Sequence, residues 1–320
     1  MPELPEIEAA LETLRRRAQG RTIADVQLLH PSLAKRVTPA QLRALVGGTI
    51  ERVERRGKHQ LLHLRDGRIL HVHFRMNGDW AAGAVGGELP RFARAVFDFT
   101  DGTRLILFDS RALATFDIHP AGVELDLGLG PDAGDPNWTA EQFGAALAMK
   151  RGPIKPTLLD QRVVAGLGNI YSAEALWRAK ISPFTRSDAL GAAQVGALRK
   201  AIAAVILRAT GSRYTDDDAA KLDVYDREGL PCRRCGTPIE RVVQAGRSTY
   251  FCPFCQPHGG IAVKKTGALV KKKVAKVRKK TAKVGKKTPK KAVKAGKRAA
   301  KKTARAAKKV VKKKGAKRRR

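Results

Sequence analysis

The amino-acid sequence predicts an α+β protein with a β-rich N-terminal part, a helical middle and a four-cysteine module towards its C-terminal end. Apolar and polar residues alternate on either side of Asp66-Gly67, and the same arrangement returns around Asp101-Gly102. Each pattern is typical of an antiparallel β-hairpin. In the middle of the chain, apolar residues recur at helical spacing instead. The 320 residues are enough for two or three domains with cores of their own.

A helix is predicted over residues 5–19, where Pro5 suits the first helical position and acidic residues lie in the first turn. The apolar side chains of this stretch form one stripe: Ile7, Leu11, Leu14 and Ala18. The two hairpins follow, so we expect residues 1–120 to form a β-sandwich or flattened barrel. Residues 121–138 are rich in Gly, Pro and Asp and are predicted to be a linker.

Helices are expected to predominate after the linker. Four helical stretches are predicted, at residues 139–149, 156–163, 169–179 and 188–209. A helical domain over residues 139–228 therefore follows the β domain.

All four cysteines lie in the module at residues 229–256. The spacing C-x2-C-x16-C-x2-C is formed by Cys232, Cys235, Cys252 and Cys255. Two such knuckles can bring four thiolates to a tetrahedral zinc ion, and the segment between them alternates like a hairpin. Four thiolates leave no open coordination position, so the sequence predicts one structural Zn2+ ion and not a catalytic one. Arg247 is expected at the hairpin tip, beside Gly246.

The formal net charge of +35 is unevenly distributed. Residues 261–320 contain 29 Lys and Arg and no Asp or Glu, which leaves +6 for residues 1–260. The Lys/Ala-rich tail at 257–320 has no aromatic residue, so self-repulsion predicts disorder. It resembles the arms of linker histones and is expected to bind DNA nonspecifically through phosphates. A solubilising or cloning-derived tail is the alternative; a membrane-surface role is disfavoured because no apolar face accompanies the charge.

The sequence contains no apolar run near the roughly 20 residues of a membrane span, and acids stand where a signal peptide carries positive charge. We therefore expect a cytoplasmic protein, in which cysteines favour metal binding over disulfides. A DNA-binding tail would associate it with the nucleoid.

Five sequence blocks occur in a fixed order along residues 1–256: MPELPEIE, RRGKH, HFRMNG, IKPTLLDQRVVAGLGNIYSAEAL and GRSTYFC. Together they resemble the formamidopyrimidine-DNA glycosylase family, which has endonuclease VIII as its sister branch. The resemblance implies an N-terminal β-sandwich, a helix-two-turn-helix domain and a C-terminal zinc finger. It also implies a monomeric enzyme that binds damaged double-stranded DNA in the cleft between its lobes. The tail lies outside the resemblance.

Pro2 becomes the N-terminal residue once Met1 is removed. An α-amino group titrates at about 7.7–8.0 and a lysine at about 10.4, so a useful fraction of the terminal amine is a neutral nucleophile at pH 7. The resemblance implies that this amine attacks C1′ of a damaged nucleotide, expels the base and forms an iminium. β-Elimination and then δ-elimination would cleave the strand. Considered alone, Pro2 and Glu3 would be an ordinary disordered terminus.

Four further residues match catalytic or supporting positions of the family. The resemblance implies that Glu3 protonates the opening sugar ring, which requires burial to favour its protonated form. Glu6 would support the site from the first helical turn. Lys58 would contact phosphate and assist proton transfer, and Arg247 would clamp the phosphates that flank the lesion. A solvated edge-strand lysine and a solvated turn arginine are the plain alternatives.

Gly166 and Gly168 permit a tight turn before Asn169, which is expected to begin a helix. The amide side chain and helix-terminal N–H groups would then face one phosphate, although a plain N-cap is the simpler interpretation. Lys150 matches a phosphate-contacting position, and Lys155, in the block that begins IKP, is also expected to bind DNA. Each could instead be a surface charge.

The target nucleotide must leave the base stack before its sugar can react. The resemblance implies that Met76 and Leu113 fill the vacated space and that Arg111 pairs with the orphaned base. Core packing is the alternative for the two apolar residues, and phenylalanine is usual at the position of Leu113. Arg94 is expected to replace a missing histidine contact to phosphate. The 8-oxoguanine-capping loop, within residues 210–225, is shorter than usual.

Three functions follow from these patterns. The leading hypothesis is a bifunctional glycosylase and abasic-site lyase for formamidopyrimidine or 8-oxoguanine-type bases. The short loop leaves endonuclease VIII-like action on oxidised pyrimidines or abasic sites as an alternative. The tail suggests a third, a non-catalytic DNA-compacting nucleoid protein with a degenerate glycosylase body. The intact set of site residues argues against degeneracy: Pro2, Glu3, Lys58, Asn169 and Arg247.

Overall fold

Two four-stranded antiparallel sheets form the N-terminal part of the computed structural model, which describes residues 2–210 and 222–257. From edge to edge, the first sheet contains β1 (Ile23–Leu28), β6 (Ala93–Phe99), β7 (Thr103–Asp109) and β5 (Gly78–Ala84). The second contains β2 (Ile50–Arg56), β3 (His59–Leu64), β4 (Ile69–His73) and β8 (Thr115–His119).

The two sheets enclose one apolar core. Phe97 of the first sheet and Phe116 of the second are buried with ring centroids 5.8 Å apart, and the Trp80 indole N–H donates to Gln60 Oε1 across the same interior at 2.7 Å. The predicted β-sandwich is therefore confirmed. Both hairpins are also confirmed, because β3 pairs with β4 and β6 pairs with β7. Gly67 and Gly102 have φ of +87° and +80°, which glycine adopts without strain.

The first helix, α1 (Leu4–Arg17), packs its apolar stripe into the sandwich core. Two short helices that the sequence analysis did not predict follow β1, namely α2 (Pro31–Ala34) and α3 (Pro39–Leu45). Both have proline at the start, and the Thr38 hydroxyl accepts the N–H of Gln41 at 3.2 Å. These are ordinary helix-start signals.

Four helices form the middle part: α4 (Ala140–Ala148), α5 (Ile154–Leu159), α6 (Asn169–Ala179) and α7 (Ala192–Ala209). The third, α6, has the predicted bounds, but the bounds predicted for α5 and α7 were wrong. The helix predicted at 156–163 begins at Ile154 and ends at Leu159, because Asp160 closes a turn by accepting the Val163 N–H at 2.9 Å. The stretch from 188 does not join α7, because Ser187–Ala189 is a separate 3-10 turn and Gly191 precedes the helix.

The segment predicted to be a linker contacts both the β-sandwich and the helical part. Its Asp132 binds Arg55 of β2 (Oδ2 to Nη1, 2.6 Å), and the Ala133 N–H donates to Ala165 O at 2.9 Å. Trp138 is buried in the helical core. The proposed domain bounds of 1–120, 121–138, 139–228, 229–256 and 257–320 stay a prediction.

The cysteine module contains the hairpin of β9 (Glu240–Gln244) and β10 (Arg247–Phe251). Its interior packs on Trp177 of α6. Among the described residues, no helix combines the length and the apolar character that crossing a membrane requires. The predictions of a disordered tail and a short capping loop concern segments outside the described residues.

Candidate active site

A cleft of about 530 Å³ lies where the second sheet, the helical part and the zinc-module hairpin meet. The residues that line it are Lys58, His59, His73, Arg75, Met76, Leu113, Leu159, Gln161, Leu167, Gly168, Asn169 and Arg247. Five of the sequence-predicted site residues are thus brought together from five separate segments of the chain.

Glu3 fixes the N-terminus at the start of α6. Its carboxylate is 1% exposed and accepts the N–H groups of Gly168 and Ile170 at 2.8 Å and of Tyr171 at 3.2 Å. A Cβ on Gly168 would lie 2.4 Å from the Glu3 carboxyl carbon, so only glycine admits this approach. Pro2, which is half-buried, precedes this anchor directly.

The anchor corrects one expectation from the sequence. The N–H groups at the start of α6 bind Glu3, so in this structure they do not present themselves to a phosphate. The N-cap of α6 is Gly168, and Asn169 is the first helical residue. The interpretation of Asn169 as a plain N-cap is therefore wrong.

Glu6 lies in the first turn of α1 and forms hydrogen bonds with Glu3 and Tyr171, which both take part in this anchor. It accepts the Glu3 N–H at 2.8 Å, and the Tyr171 hydroxyl donates to its other oxygen. Burial, with a smaller contribution from the charge of Glu3, raises the pKa of Glu6 to about 7, while the hydrogen bond from Tyr171 opposes the shift. Near pH 7 this carboxyl can therefore either hold or release a proton.

Lys58 stands in the turn before β3, and β3 is paired on both sides. The alternative of a solvated edge-strand lysine is therefore wrong. Burial lowers the pKa of Lys58, with Glu3 and Glu6 opposing this effect and Arg247 adding to it. These four charged groups are thus close enough to influence one another at the cleft.

Lys155 was predicted to bind DNA, with a surface charge as the alternative; it is buried, so the alternative is wrong, and the DNA contact stays a prediction. It is 1% exposed, and its ammonium donates to Asn169 Oδ1 and to Thr249 Oγ1 at 3.3 Å. Asn169 Nδ2 in turn donates to Ser248 O at 2.9 Å. Burial lowers the pKa of Lys155 to about 8. The pair joins α6 to the zinc-module hairpin.

Two other predicted phosphate contacts are already engaged within the protein. Lys150 forms an ion pair with Asp160 (Nζ to Oδ2, 3.0 Å). Arg94 donates from Nε to Asp109 O at 2.7 Å, so it supports the loop that follows β7.

That loop carries Arg111 and Leu113, and Asp109 organises it. The fully buried Asp109 carboxylate accepts the N–H groups of Arg111 at 2.9 Å, Leu113 at 2.6 Å and Ala114 at 2.8 Å. Arg111 is exposed, and Leu113 is 44% exposed at the cleft. Core packing is therefore the wrong interpretation for Leu113. Met76 is half-buried and also lines the cleft.

Arg247 begins β10 after a two-residue turn. Ala245 and Gly246 both have positive φ, at +46° and +72°, which suits the tight turn of a hairpin. Arg247 is exposed and lines the cleft. The hairpin therefore places Arg247 at the same cleft as Lys58.

The four cysteine sulfurs fit one zinc ion. They lie within 4.8 Å of one another, with separations of 3.4 Å for Cys235–Cys255, 3.5 Å for Cys235–Cys252 and 4.0 Å for Cys232–Cys255. A tetrahedral site with Zn–S bonds of about 2.3 Å requires S···S separations of about 3.8 Å. Trp177 Nε1 donates to Cys232 Sγ at 3.3 Å, as suits a thiolate ligand.

Sequence reasoning missed two residues that hold the site. Asp109 was overlooked, although an aspartate directly after a strand is a common turn signal. Gln161 was also missed; its Oε1 accepts the Gly166 N–H at 3.0 Å and its Nε2 donates to Leu167 O at 2.9 Å. No local pattern marks Gln161, because its partners belong to an irregular loop.

Profiles of known protein families match nearly all of the described part. They are the formamidopyrimidine-DNA glycosylase N-terminal domain at residues 1–116, the formamidopyrimidine-DNA glycosylase H2TH domain at 129–216, and the zinc finger found in FPG and IleRS at 229–257. The formamidopyrimidine-DNA glycosylase of Symbiobacterium thermophilum is 40% identical over 274 residues, which is 80% of this chain and 90% of the relative. The chain belongs to the formamidopyrimidine-DNA glycosylase family. That of Paracoccus denitrificans is 38% identical over 80% of this chain and 100% of its own length.

Solved structures of formamidopyrimidine-DNA glycosylases share the fold. A MutM bound to DNA that contains carbocyclic 8-oxo-G has a TM-score of 0.74 and 28% identity over 80% of this chain and 100% of its own. The Lactococcus lactis enzyme bound non-covalently to DNA with an AP site has a TM-score of 0.74 and 30% identity over the same shares. The family resemblance, the H2TH domain and the zinc finger are thus confirmed, and the basic tail lies beyond all three profile matches.

Proposed function

We propose that this protein is a bifunctional DNA glycosylase and abasic-site lyase whose nucleophile is the N-terminal amine of Pro2. Membership of the family makes it a DNA glycosylase of base excision repair that acts on oxidised bases. The observation that carries the proposal is the anchorage of Glu3 on the start of α6. Gly168, which binds Glu3, lines the cleft together with Lys58 and Arg247, and this supports a position for the adjacent Pro2 at that cleft.

The reaction begins when the nitrogen lone pair of Pro2 forms a bond to C1′ and the bond between C1′ and the damaged base breaks. The departing base takes up a proton, and the Pro2 nitrogen releases the proton that it carried as a secondary amine. Protonation of the ring oxygen O4′ then opens the C1′–O4′ bond and leaves an iminium between Pro2 and C1′. We assign this protonation to Glu3, and Glu6, with a pKa of about 7, can supply or hold the proton one hydrogen bond away.

The iminium withdraws electrons, so the C2′ proton becomes acidic. Its removal breaks the C3′–O3′ bond by β-elimination, and a second proton loss breaks the bond to the 5′ phosphate by δ-elimination. Lys58, whose pKa burial lowers, is suited to accept such a proton. Arg247, which is exposed at the cleft, would neutralise the flanking phosphates, and this would favour both binding and the departure of phosphate.

The lesion class follows from the same resemblance. One Lactococcus lactis neighbour is bound to DNA with N7-benzyl-Fapy-dG, and others are bound to 8-oxo-G or abasic DNA. We propose that formamidopyrimidine and 8-oxoguanine-type bases are the substrates here. Met76 and Leu113 would fill the space that the everted nucleotide leaves. Arg111 would pair with the base that has lost its partner.

The basic tail is proposed to bind DNA as well. Its 29 positive charges within residues 261–320 suit it to hold the enzyme on undamaged DNA without reading sequence. We propose that the protein acts as a monomer, and that the tail associates it with the nucleoid.

Borohydride reduction tests the nucleophile, because it converts an iminium to a stable covalent adduct. Full-length protein incubated with abasic-site DNA is expected to give an adduct that peptide mass spectrometry maps to the Pro2 nitrogen. Pro2→Ala is expected to lower the rate of base excision by roughly 10²-fold or more, whereas the nearby Pro5→Ala keeps wild-type trapping. An adduct on a lysine, or an initiator methionine still attached in active protein, contradicts the proposal.

A further inference from the structure

Histidines are concentrated on one face of the second sheet. His59 of β3 lies directly opposite His73 of β4, and His71 lies two residues from His73 on the same face. His119 follows Asp117 on β8 at the same side-chain alternation, and Asp117 is the residue opposite His71. The other face of these strands carries the buried apolar core. The histidines therefore form a row across the outer face.

Three of these imidazoles form a directional hydrogen-bonded chain. His59 Nδ1 is 2.8 Å from His71 Nε2, and His71 Nδ1 is 3.4 Å from His119 Nε2. Each contact uses a different nitrogen of the shared ring, so the neutral His71 can donate to one neighbour while it accepts from the other. His59 lines the cleft, and His119, at the end of β8, is half-buried.

We propose that His119, His71 and His59 form a proton relay that connects the cleft with solvent. A proton that arrives at His119 Nδ1 releases the Nε2 proton to His71 Nδ1. His71 then passes its Nε2 proton to His59 Nδ1, and His59 releases its Nε2 proton into the cleft. Every ring receives one proton and gives up one, so charge and atoms balance.

The cleft end of the histidine row is held by further contacts. His73 packs edge-on against His59 with ring centroids 4.6 Å apart, and its Nδ1 accepts the Arg75 N–H at 2.9 Å. This contact fixes the ring at the cleft end. The charged groups that face the row from neighbouring elements are Lys58, Arg75, Arg36, Asp117 and, opposite His59 on β2, Arg56.

These surroundings keep His59 and His71 uncharged at rest. Burial and nearby positive groups lower the pKa of His59 to about 4, and burial, partly offset by Asp117, lowers that of His71 to about 4. Arg36 is paired with Asp117 (Nε to Oδ1, 2.6 Å), so part of the carboxylate charge is already neutralised. Neutral rings at pH 7 retain the one donor and one acceptor that a relay requires.

The chemistry of the cleft supplies a use for such a relay, and this step rests on the proposed function. Base departure and ring opening take up protons, whereas each elimination releases one. Bound DNA covers the cleft, so exchange with bulk water by the direct route is obstructed. A relay that runs inward and then outward also returns each imidazole to its starting tautomer.

Nitrogen NMR of the histidine rings in the full-length protein tests the chain without any activity. We expect His71 to be a neutral tautomer whose ring-nitrogen shifts change when the half-exposed His119 is replaced by alanine. Histidines whose ring signals are indifferent to His119→Ala overturn the proposal. His63→Gln is the matched control, because His63 lies on the same face of β3 but contacts Glu54 at 3.1 Å.

Single-turnover base excision at saturating enzyme tests the function of the chain. We expect His71→Phe and His119→Ala to slow it about tenfold, less than the ~10²–10⁴ of a group that transfers the proton itself. Free imidazole is expected to restore the rate of His119→Ala, where it can occupy the vacated surface position, and not that of His71→Phe. Purely structural roles would give no such rescue.

Two outcomes overturn the relay: wild-type rates in both variants, or a slow His119→Ala that imidazole does not restore. DNA affinity of each variant is measured alongside, and His63→Gln is expected to match wild type. Failure of the proposed function would show differently, as wild-type protein that forms no adduct at Pro2.

Discussion

Glu6 is the residue whose protonation couples the site to the stability of the fold. Its pKa in the folded protein, about 7, lies above its ordinary value of 4.5. The folded state therefore binds a proton more tightly than the unfolded state does. The stabilising contribution is full below about pH 4.5 and is lost as pH rises through 7. At about 1.4 kcal/mol per pKa unit, the change is about 3 kcal/mol.

Urea unfolding from pH 4.5 to 8 is the appropriate measurement. Relative to Glu6→Gln, wild-type protein is expected to lose about 3 kcal/mol over this range. His59 and His71 act in the opposite sense, because their lowered pKa values cost stability as pH falls below about 6.5, but they act equally in both proteins. Glu12→Gln, on the exposed side of the same helix, is the control. Parallel pH curves for wild type and Glu6→Gln would contradict the assignment.

The sequence could predict the roles of some residues and not the partners of others. Pro2, Glu3 and Arg247 could be selected from sequence blocks, because each block is local. The partners of Glu3 lie about 165 residues away, and no spacing rule predicts that one carboxylate would cap α6. The burial of Lys155 was not predicted for a similar reason, since the Thr249 side chain that helps to enclose it is distant in sequence.

The loop after β7 is the element whose order depends most on a single side chain. Asp109→Asn keeps the size of that side chain but replaces one of two acceptor oxygens with a donor, which opposes the N–H groups of Leu113 and Ala114 or of Arg111. We expect a loss of about 1–3 kcal/mol in unfolding free energy and faster amide exchange across residues 110–114. Base excision should slow, because Leu113 and Arg111 lose their fixed positions.

Hydrogen exchange followed by mass spectrometry can measure this effect. Asp101→Asn, in the exposed turn at the other end of β7, is the matched control and is expected to leave residues 110–114 unchanged. Unaltered protection of the loop in Asp109→Asn would show that other contacts order it.

Elements were predictable where a local signal set their ends. The two Asp-Gly turns fixed both hairpins, and the glycines before Asn169 fixed the start of α6. The bounds of α5 were missed because Pro153, outside the predicted stretch, starts the helix and a side-chain-supported turn at Asp160 ends it. Periodicity alone does not report such turns.

On the scale of the whole molecule, the charge distribution predicts two separable DNA-binding contributions. Deleting residues 261–320 removes 29 positive charges and leaves +6 on the remainder. We expect weaker nonspecific affinity and a shallower dependence of log K on log salt. The single-turnover rate at saturating enzyme should stay unchanged, because the cleft residues and the zinc ligands all lie within residues 2–255.

Fluorescence titration of undamaged duplex at several salt concentrations, with excision kinetics in parallel, measures both contributions. A variant in which the tail lysines and arginines are replaced by glutamine keeps the length and serves as the matched comparison. Slower chemistry in the deletion at saturating enzyme would mean that the tail contacts the site.

How the β part, the helical part and the cysteine module pack together was the least predictable feature. Composition separated a β part, a helical part and a cysteine module, and the blocks gave their order. The cleft itself depends on contacts such as Asn169 with Ser248 and Arg55 with Asp132, which join distant segments. Such contacts follow from the packed structure and leave no periodic trace in the sequence.

The anchorage of Glu3 has a consequence for protein synthesis. The proposed nucleophile, Pro2, is synthesised at the start of translation, whereas the amides that bind the adjacent Glu3 belong to residues 168–171 and the hairpin arginine is residue 247. On the proposed mechanism, a nascent chain would therefore carry its nucleophile long before it carries the groups that complete the site. The order of translation would then keep an unfinished polypeptide from cutting DNA.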